Sequence, residues 1–174
     1  MNKKTDSQEY TEFLFGEVDD QKVENIIKWI IKNQDKSITE PLTLYINSPG
    51  GSVPDAFALI DVMRTSIHPI KTVAIGSICS AAFLIFSAGS KPNRYISKNT
   101  SIMCHQYSFE SEGKYHDLKA QFREMELINQ RMIGLLEEKS NLSTKVIKSK
   151  LLSPTDAWLT AAELIEFGIA DNIF

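Results

Sequence analysis

Ser80, His105 and Asp156 are the residues whose types could combine into nucleophilic chemistry. A serine hydroxyl is a poor nucleophile until a neutral imidazole takes its proton. The imidazole in turn needs a carboxylate to hold its tautomer and stabilise its positive charge. Ser80 lies where the β-branched, apolar run from Lys71 to Ile75 gives way to a stretch rich in Ala, Leu and Phe that ends at Gly89. That pattern reads as a strand broken at Gly76 and turning into a buried helix from about Ser80. A hydroxyl at such a turn sits against unpaired helix N–H groups and the positive end of the dipole. The plainer alternative is that Ser77 or Ser80 only caps the helix, and the G-x-S-x-G elbow is absent.

The chain has three histidines. His68 precedes Pro69 in a loop and His116 opens the polar start of a helix. His105 closes the strand-like run Ser101–Cys104 and is therefore the candidate base. Asp156 reads as part of a loop immediately before a helix, from which a carboxylate can point inward. Geometry rather than spacing defines such a triad, so the residue types nominate these three without proving them. Cys79 belongs to the core in this reading, because adjacent helical side chains point about 100° apart and Cys79 and Ser80 cannot both face His105.

The elements that must hold these residues alternate between strand and helix. Thr11–Phe15 is a strand candidate, and Val23, Ile26, Ile27 and Ile30 form the apolar stripe of a helix capped by Asp19 or Asp20. Leu42–Ile46 is apolar throughout, as a strand covered on both faces would be. Asn47-Ser48-Pro49-Gly50-Gly51-Ser52 follows directly. Ser52 with Asp55 opens a helix whose buried stripe is Ala56, Leu59, Ile60 and Met63, so Gly51 sits between a strand end and a helix start with an N–H free to point at something. Further strands are expected near Arg94–Ile96 and Ser101–His105, which implies an α/β layer with a largely parallel sheet. From about Lys114 to Lys139 runs one long helix with a seam of Leu118, Phe122, Met125, Asn129, Met132 and Leu136, either packed on its own domain or docked on a partner subunit. Lys145–Leu152 reads as a short helix and Thr155–Trp158 as a loop. Thr160 and Glu163 form a capping box for a helix ending at Gly168, and Ile169–Phe174 is a terminal strand.

Composition narrows the function classes. The chain has 174 residues, 43% hydrophobic and 24% charged, with a net charge of −3, which fits a single globular domain over 11–174 behind a flexible polar tail at 1–10. No basic cluster points to nucleic acid, and no apolar span or signal region points to a membrane. Cys79 and Cys104 make neither a disulfide framework nor a metal spacing, so no metal is expected and a cytoplasmic location fits.

Four collinear motifs carry a resemblance to a known family: Tyr45-Ile46-Asn47-Ser48-Pro49-Gly50-Gly51-Ser52, Gly76-x-x-x-Ser80, Met103-x-His105-Gln106, and Thr160-Ala161-Ala162-Glu163 through Phe167-Gly168-Ile169-Ala170-Asp171. Together they resemble the proteolytic subunit of the caseinolytic (Clp) serine protease family, from about Phe13 to Phe174. The resemblance implies a crotonase-like α/β subunit with a protruding handle helix. It also implies a homo-oligomer of stacked seven-membered rings around a chamber, an ATP-driven unfoldase as partner, peptides or unfolded proteins as substrate, and no cofactor. Residue by residue, it makes Ser80 the nucleophile, His105 the base and Asp156 the orienting carboxylate. The N–H groups of Gly51 and Ala81 become the oxyanion hole, and Gly51, Ser52 and Val53 the substrate-binding edge.

The chain departs from the family's usual pattern in several places. Cys79-Ser80-Ala81-Ala82-Phe83 stands for Ala-Ser-Met-Gly-Ala, Tyr107 for a Pro, and Thr155 for a ring-pairing Arg. The stretch before Phe13 is shorter than the usual pore-lining segment. A serine endopeptidase is the leading expectation. A catalytically weak or silent ring subunit that scaffolds an active protease is the alternative, and an acyl-CoA hydratase-like enzyme ranks behind both.

Overall fold

The computed structural model describes residues 10–37 and 39–174, so all but Tyr10 of the expected N-terminal tail lies outside the described residues. Strand β1 (Thr11–Phe15) leads through helix α1 (Asp20–Lys32) to β2 (Leu42–Ser48), and helix α2 (Val53–Thr65) leads to β3 (Ile70–Cys79). After helix α3 (Ala81–Ser87) come β4 (Arg94–Ile96) and β5 (Ser101–Cys104). The long helix α4 (Tyr115–Lys139), α5 (Thr144–Lys150), β6 (Ala157–Leu159), α6 (Ala161–Glu166) and β7 (Asn172–Ile173) complete the chain. The sheet runs β1-β2-β3-β4-β7, with β5 attached to β3 and β6 to β5. Every pairing is parallel except β5 with β6.

Local chemistry explains most of these elements. Asp19 caps α1 by accepting from Lys22 N–H, and Val23, Ile26 and Ile30 are its buried face. Ser52 caps α2 by accepting from Asp55 N–H, over a buried Ala56, Leu59, Ile60 and Met63. The Thr160–Glu163 capping box is present at α6.

The strands correct the sequence reading in four ways. Leu42, Leu44, Ile46 and Ser48 of β2 are buried while Thr43, Tyr45 and Asn47 are only half-buried, so the strand is covered fully on one face. The other face carries aromatic pairs instead, with Phe13 stacked on its register partner Tyr45 at 5.6 Å. Second, β3 does not stop at Gly76 but continues to Cys79. Gly76, at φ +62°, supplies a bend that an L-side chain resists. The amide of Asn47 fills that bend, its Oδ1 accepting from Ser77 N–H at 3.0 Å. The bend lets one strand serve two partners, with Thr72–Ala74 pairing β4 and Ser77–Cys79 pairing β5. Third, Asp156 precedes strand β6, not a helix. Fourth, the terminal strand is confined to Asn172–Ile173.

Helix α4 has two halves. Ile128, Met132, Leu135 and Leu136 are buried in its inner half, whereas Tyr115 and Phe122 are 67% and 54% exposed in the outer half. The inner half packs on its own domain, as one of the two expectations had it, and the outer half stands clear of it. The inner end is tied down by Arg94, which is fully buried. Its guanidinium donates to both carboxylate oxygens of Asp171, to Lys139 O at 2.7 Å and to Gly168 O at 2.7 Å. One side chain thus joins β4, the end of α4 and the turn before β7.

Candidate active site

Register brings the candidate residues to one end of the sheet. Cys79 of β3 pairs with Met103 of β5 in parallel, so Ser80 and His105 leave neighbouring strands side by side. Ser48 of β2 pairs with Ile78, which carries Pro49-Gly50-Gly51 to the same rim. Cys104 pairs with Ala157 in the antiparallel β5–β6 ladder. His105 follows and Asp156 precedes that last pair of the ladder.

Ser80 occupies the junction between β3 and α3 at φ 54° and ψ −123°, a backbone conformation that costs a non-glycine residue about 1–3 kcal/mol. Its side chain makes no capping hydrogen bond to α3, so the cap alternative does not describe it. Ser80 N–H donates to Met103 O at 2.9 Å, which locks the turn to β5. The hydroxyl lies 2.8 Å from His105 Nε2. His105 Nδ1 lies 2.5 Å from Gln106 O. A carbonyl can only accept, so Nδ1 carries the proton and Nε2 is left as the acceptor for the Ser80 hydroxyl.

The structure therefore brings Ser80 and His105 into contact, but Asp156 is not hydrogen-bonded to the imidazole. The two share a cleft of about 440 Å³, also lined by Gln106 and Ser153. His68 is committed elsewhere, its Nε2 2.9 Å from Asp35 O, and His116 packs edge-on against Tyr115. Both thiols nearby are buried and free. Burial pushes the Cys104 thiol up to about 12, so it is un-ionised and inert at neutral pH.

The expected N–H donors also lie at this rim. Ala81 is the first residue of α3, so its N–H has no partner within the helix. Gly51 is bridged to Val18 through Val18 N–H to Gly50 O at 2.7 Å and Ser52 N–H to Val18 O at 2.9 Å, a pattern that leaves Gly51's own N–H unused. Among the described residues neither N–H has a protein acceptor.

The match to known proteins is broad. The family model for Clp protease covers residues 6–174. The chain belongs to the Clp protease family. It is 31% identical to ATP-dependent Clp protease proteolytic subunit 1 of Corynebacterium glutamicum over 163 residues, 93% of this chain and 77% of that protein. It is 29% identical to ATP-dependent Clp protease proteolytic subunit 2 of Treponema denticola over 160 residues, 92% of this chain and 79% of that protein. The crotonase-like fold of Clp proteases is what the parallel sheet and its helices realise here. Among the described residues no helix is long and apolar enough to cross a membrane.

Three neighbours of the Ser80–His105 pair and the Gly51 turn in this Clp protease family member escaped the sequence reading. Gly50, at φ +99°, runs so close to the turn that a Cβ there would fall 2.7 Å from Ser80 Cβ and 2.7 Å from Cys79 O. The Gly-Gly pair signalled a close approach, but not to what. Val18 bridges Gly51, and the Gln106 carbonyl accepts from the imidazole. Both act through backbone atoms, which residue type does not reveal.

Proposed function

We propose that this chain is a serine endopeptidase that cleaves peptides or unfolded proteins through an acyl-enzyme on Ser80. The observation that carries the reading is the 2.8 Å contact between Ser80 Oγ and His105 Nε2, with the proton of the imidazole assigned to Nδ1 by its carbonyl partner. The Ser80 hydroxyl proton passes to Nε2 as Oγ attacks the scissile carbonyl carbon. The tetrahedral oxyanion is received by the N–H groups of Gly51 and Ala81, each such donor being worth about 10²–10³ in rate. The imidazolium then protonates the departing amine. Water, deprotonated by the same nitrogen, releases the acyl group and restores the serine.

Asp156 is the carboxylate of this reading, supported by its position just before β6, next to the Cys104–Ala157 pair, and by the cleft it shares with His105. A substrate chain lies along Gly51, Ser52 and Val53 as an added strand. The exposed aromatic residues of the outer half of α4 support assembly into stacked rings. By family analogy an ATP-driven unfoldase delivers substrate, and the free cysteines fit a cytoplasmic setting.

The test is covalent labelling by a fluorophosphonate, read as a mass increment on the peptide bearing Ser80. Labelling is expected in the native protein and absent in Ser80→Ala, with peptide hydrolysis falling about 10⁴–10⁶-fold in that variant. One observation favours a second reading, a silent ring subunit that scaffolds an active relative: Nδ1 faces a neutral carbonyl in place of a carboxylate. Hydrolysis of short peptides by the assembled chain alone separates the two, and no turnover with no labelling would decide for the scaffold.

A further inference from the structure

The strand that leads to His105 ends at Cys104, and the backbone beyond it belongs to no regular element until α4 begins at Tyr115. Two side-chain contacts fasten this stretch where it matters for the imidazole. Gln106 Nε2 donates to Leu152 O at 2.9 Å, and Tyr107 N–H donates to Asn129 Oδ1 at 3.1 Å. They flank the one peptide group whose carbonyl accepts from Nδ1. The Gln106–Tyr107 peptide unit contains both that carbonyl and the N–H held by Asn129. A peptide unit is planar, so holding its N–H fixes the direction of its C=O.

We propose that Asn129 is a positioning residue for His105, setting the imidazole through the Gln106–Tyr107 peptide plane. The apolar seam of α4 is broken by this one amide, and the contact gives the break a use. Asn129 follows Ile128, the first buried residue of the helix, so it sits where the free half of α4 becomes the packed half. A tilt of the outer half acts on the peptide plane at this point. The contact also requires Tyr107 to have an N–H, which a proline in its place would lack. Gln106, Asn129 and Leu152 line a cleft of about 400 Å³ between α4 and α5, so a displaced Asn129 has room to leave its partner.

The inference rests on the serine-peptidase reading for its kinetic test, so a second readout independent of a reactive serine accompanies it. The first measurement is the second-order rate of fluorophosphonate labelling, with kcat and KM for a short peptide. Asn129→Ala is expected to slow labelling about tenfold and to lower kcat with KM unchanged. Asn129→Asp, which keeps an acceptor oxygen, stays within about threefold of the native rate. Tyr107→Pro removes the donor and matches the alanine variant, and the double variant loses no more than either single one. The second measurement is the ¹⁵N spectrum of the imidazoles, of which the chain has three. His105 is expected to be one tautomer in the native protein and a mixture in Asn129→Ala. Native protein that resists labelling yet shows this tautomer change would refute the peptidase reading and leave the positioning role standing. Unchanged labelling and an unchanged His105 signal in Asn129→Ala overturn it, as does equal loss in the alanine and aspartate variants.

Discussion

The Ser80–His105 pair has its proton in the right place but lacks a charge behind it. Gln106 O selects the Nδ1–H tautomer, yet a neutral carbonyl offers little to an imidazolium compared with a carboxylate in a low-dielectric cleft. If Asp156 supplies that charge when substrate binds, Asp156→Asn keeps the shape and removes the stabilisation. Its kcat for peptide hydrolysis is then expected to fall about 10³–10⁴-fold with KM little changed. A fall of less than tenfold would assign the orienting role to the Gln106 carbonyl alone. Residue type nominated Ser80, His105 and Asp156 because few side chains can perform this chemistry, and of these the structure brings Ser80 and His105 into contact. Gln106, Val18 and Gly50 were not nominated, because they act through carbonyls, N–H groups and the absence of a side chain.

Among the elements, the bend in β3 does the decisive work. Without Gly76 the strand would run straight along β4, and its second half could not leave to pair with β5, which carries His105 alongside Ser80. The sequence signal at Gly76 was real but ambiguous, since a glycine that ends a strand and one that bends it look alike. The Asn47 amide bound to Ser77 N–H decides for the bend. The Pro49–Gly51 turn is equally exacting. Gly50→Ala would press a methyl to 2.7 Å from Ser80 Cβ at a backbone angle of φ +99°. Peptide hydrolysis is expected to drop at least about 10²-fold through displacement of the nucleophile, measurable beside a lowered Tm. Native activity in that variant would mean the turn yields more freely than its packing indicates.

Across the whole molecule, Arg94 and Asp171 hold the C-terminal elements to the sheet. Removing the buried guanidinium strands Asp171 and two carbonyls, so Arg94→Leu is expected to cost about 3–5 kcal/mol in denaturant unfolding. Burial pushes the Asp171 carboxyl up, but hydrogen bonds from Arg94 and its charge outweigh that and hold it below the usual carboxylate range. A depressed native pKa contributes stability that is present above the unfolded value of about 3.9 and is lost as pH falls through the native one. Unfolding free energy should therefore decline from pH 5 to pH 3 in the native chain. Asp171→Asn should flatten that part of the decline while being less stable at pH 7. An unaltered acid slope would place the titration elsewhere.

Alternating apolar runs, caps and glycine turns settled most of the α/β order, because each depends on neighbours within a few residues: the Asp19 and Ser52 caps and the Thr160–Glu163 box are examples. Residue chemistry likewise nominated the serine, the histidine and the aspartate. Strand register was decided only in three dimensions. The pairing of Cys79 with Met103 and of Cys104 with Ala157 depends on hydrogen bonds between segments far apart in the chain. It is those bonds that put an alcohol 2.8 Å from an imidazole.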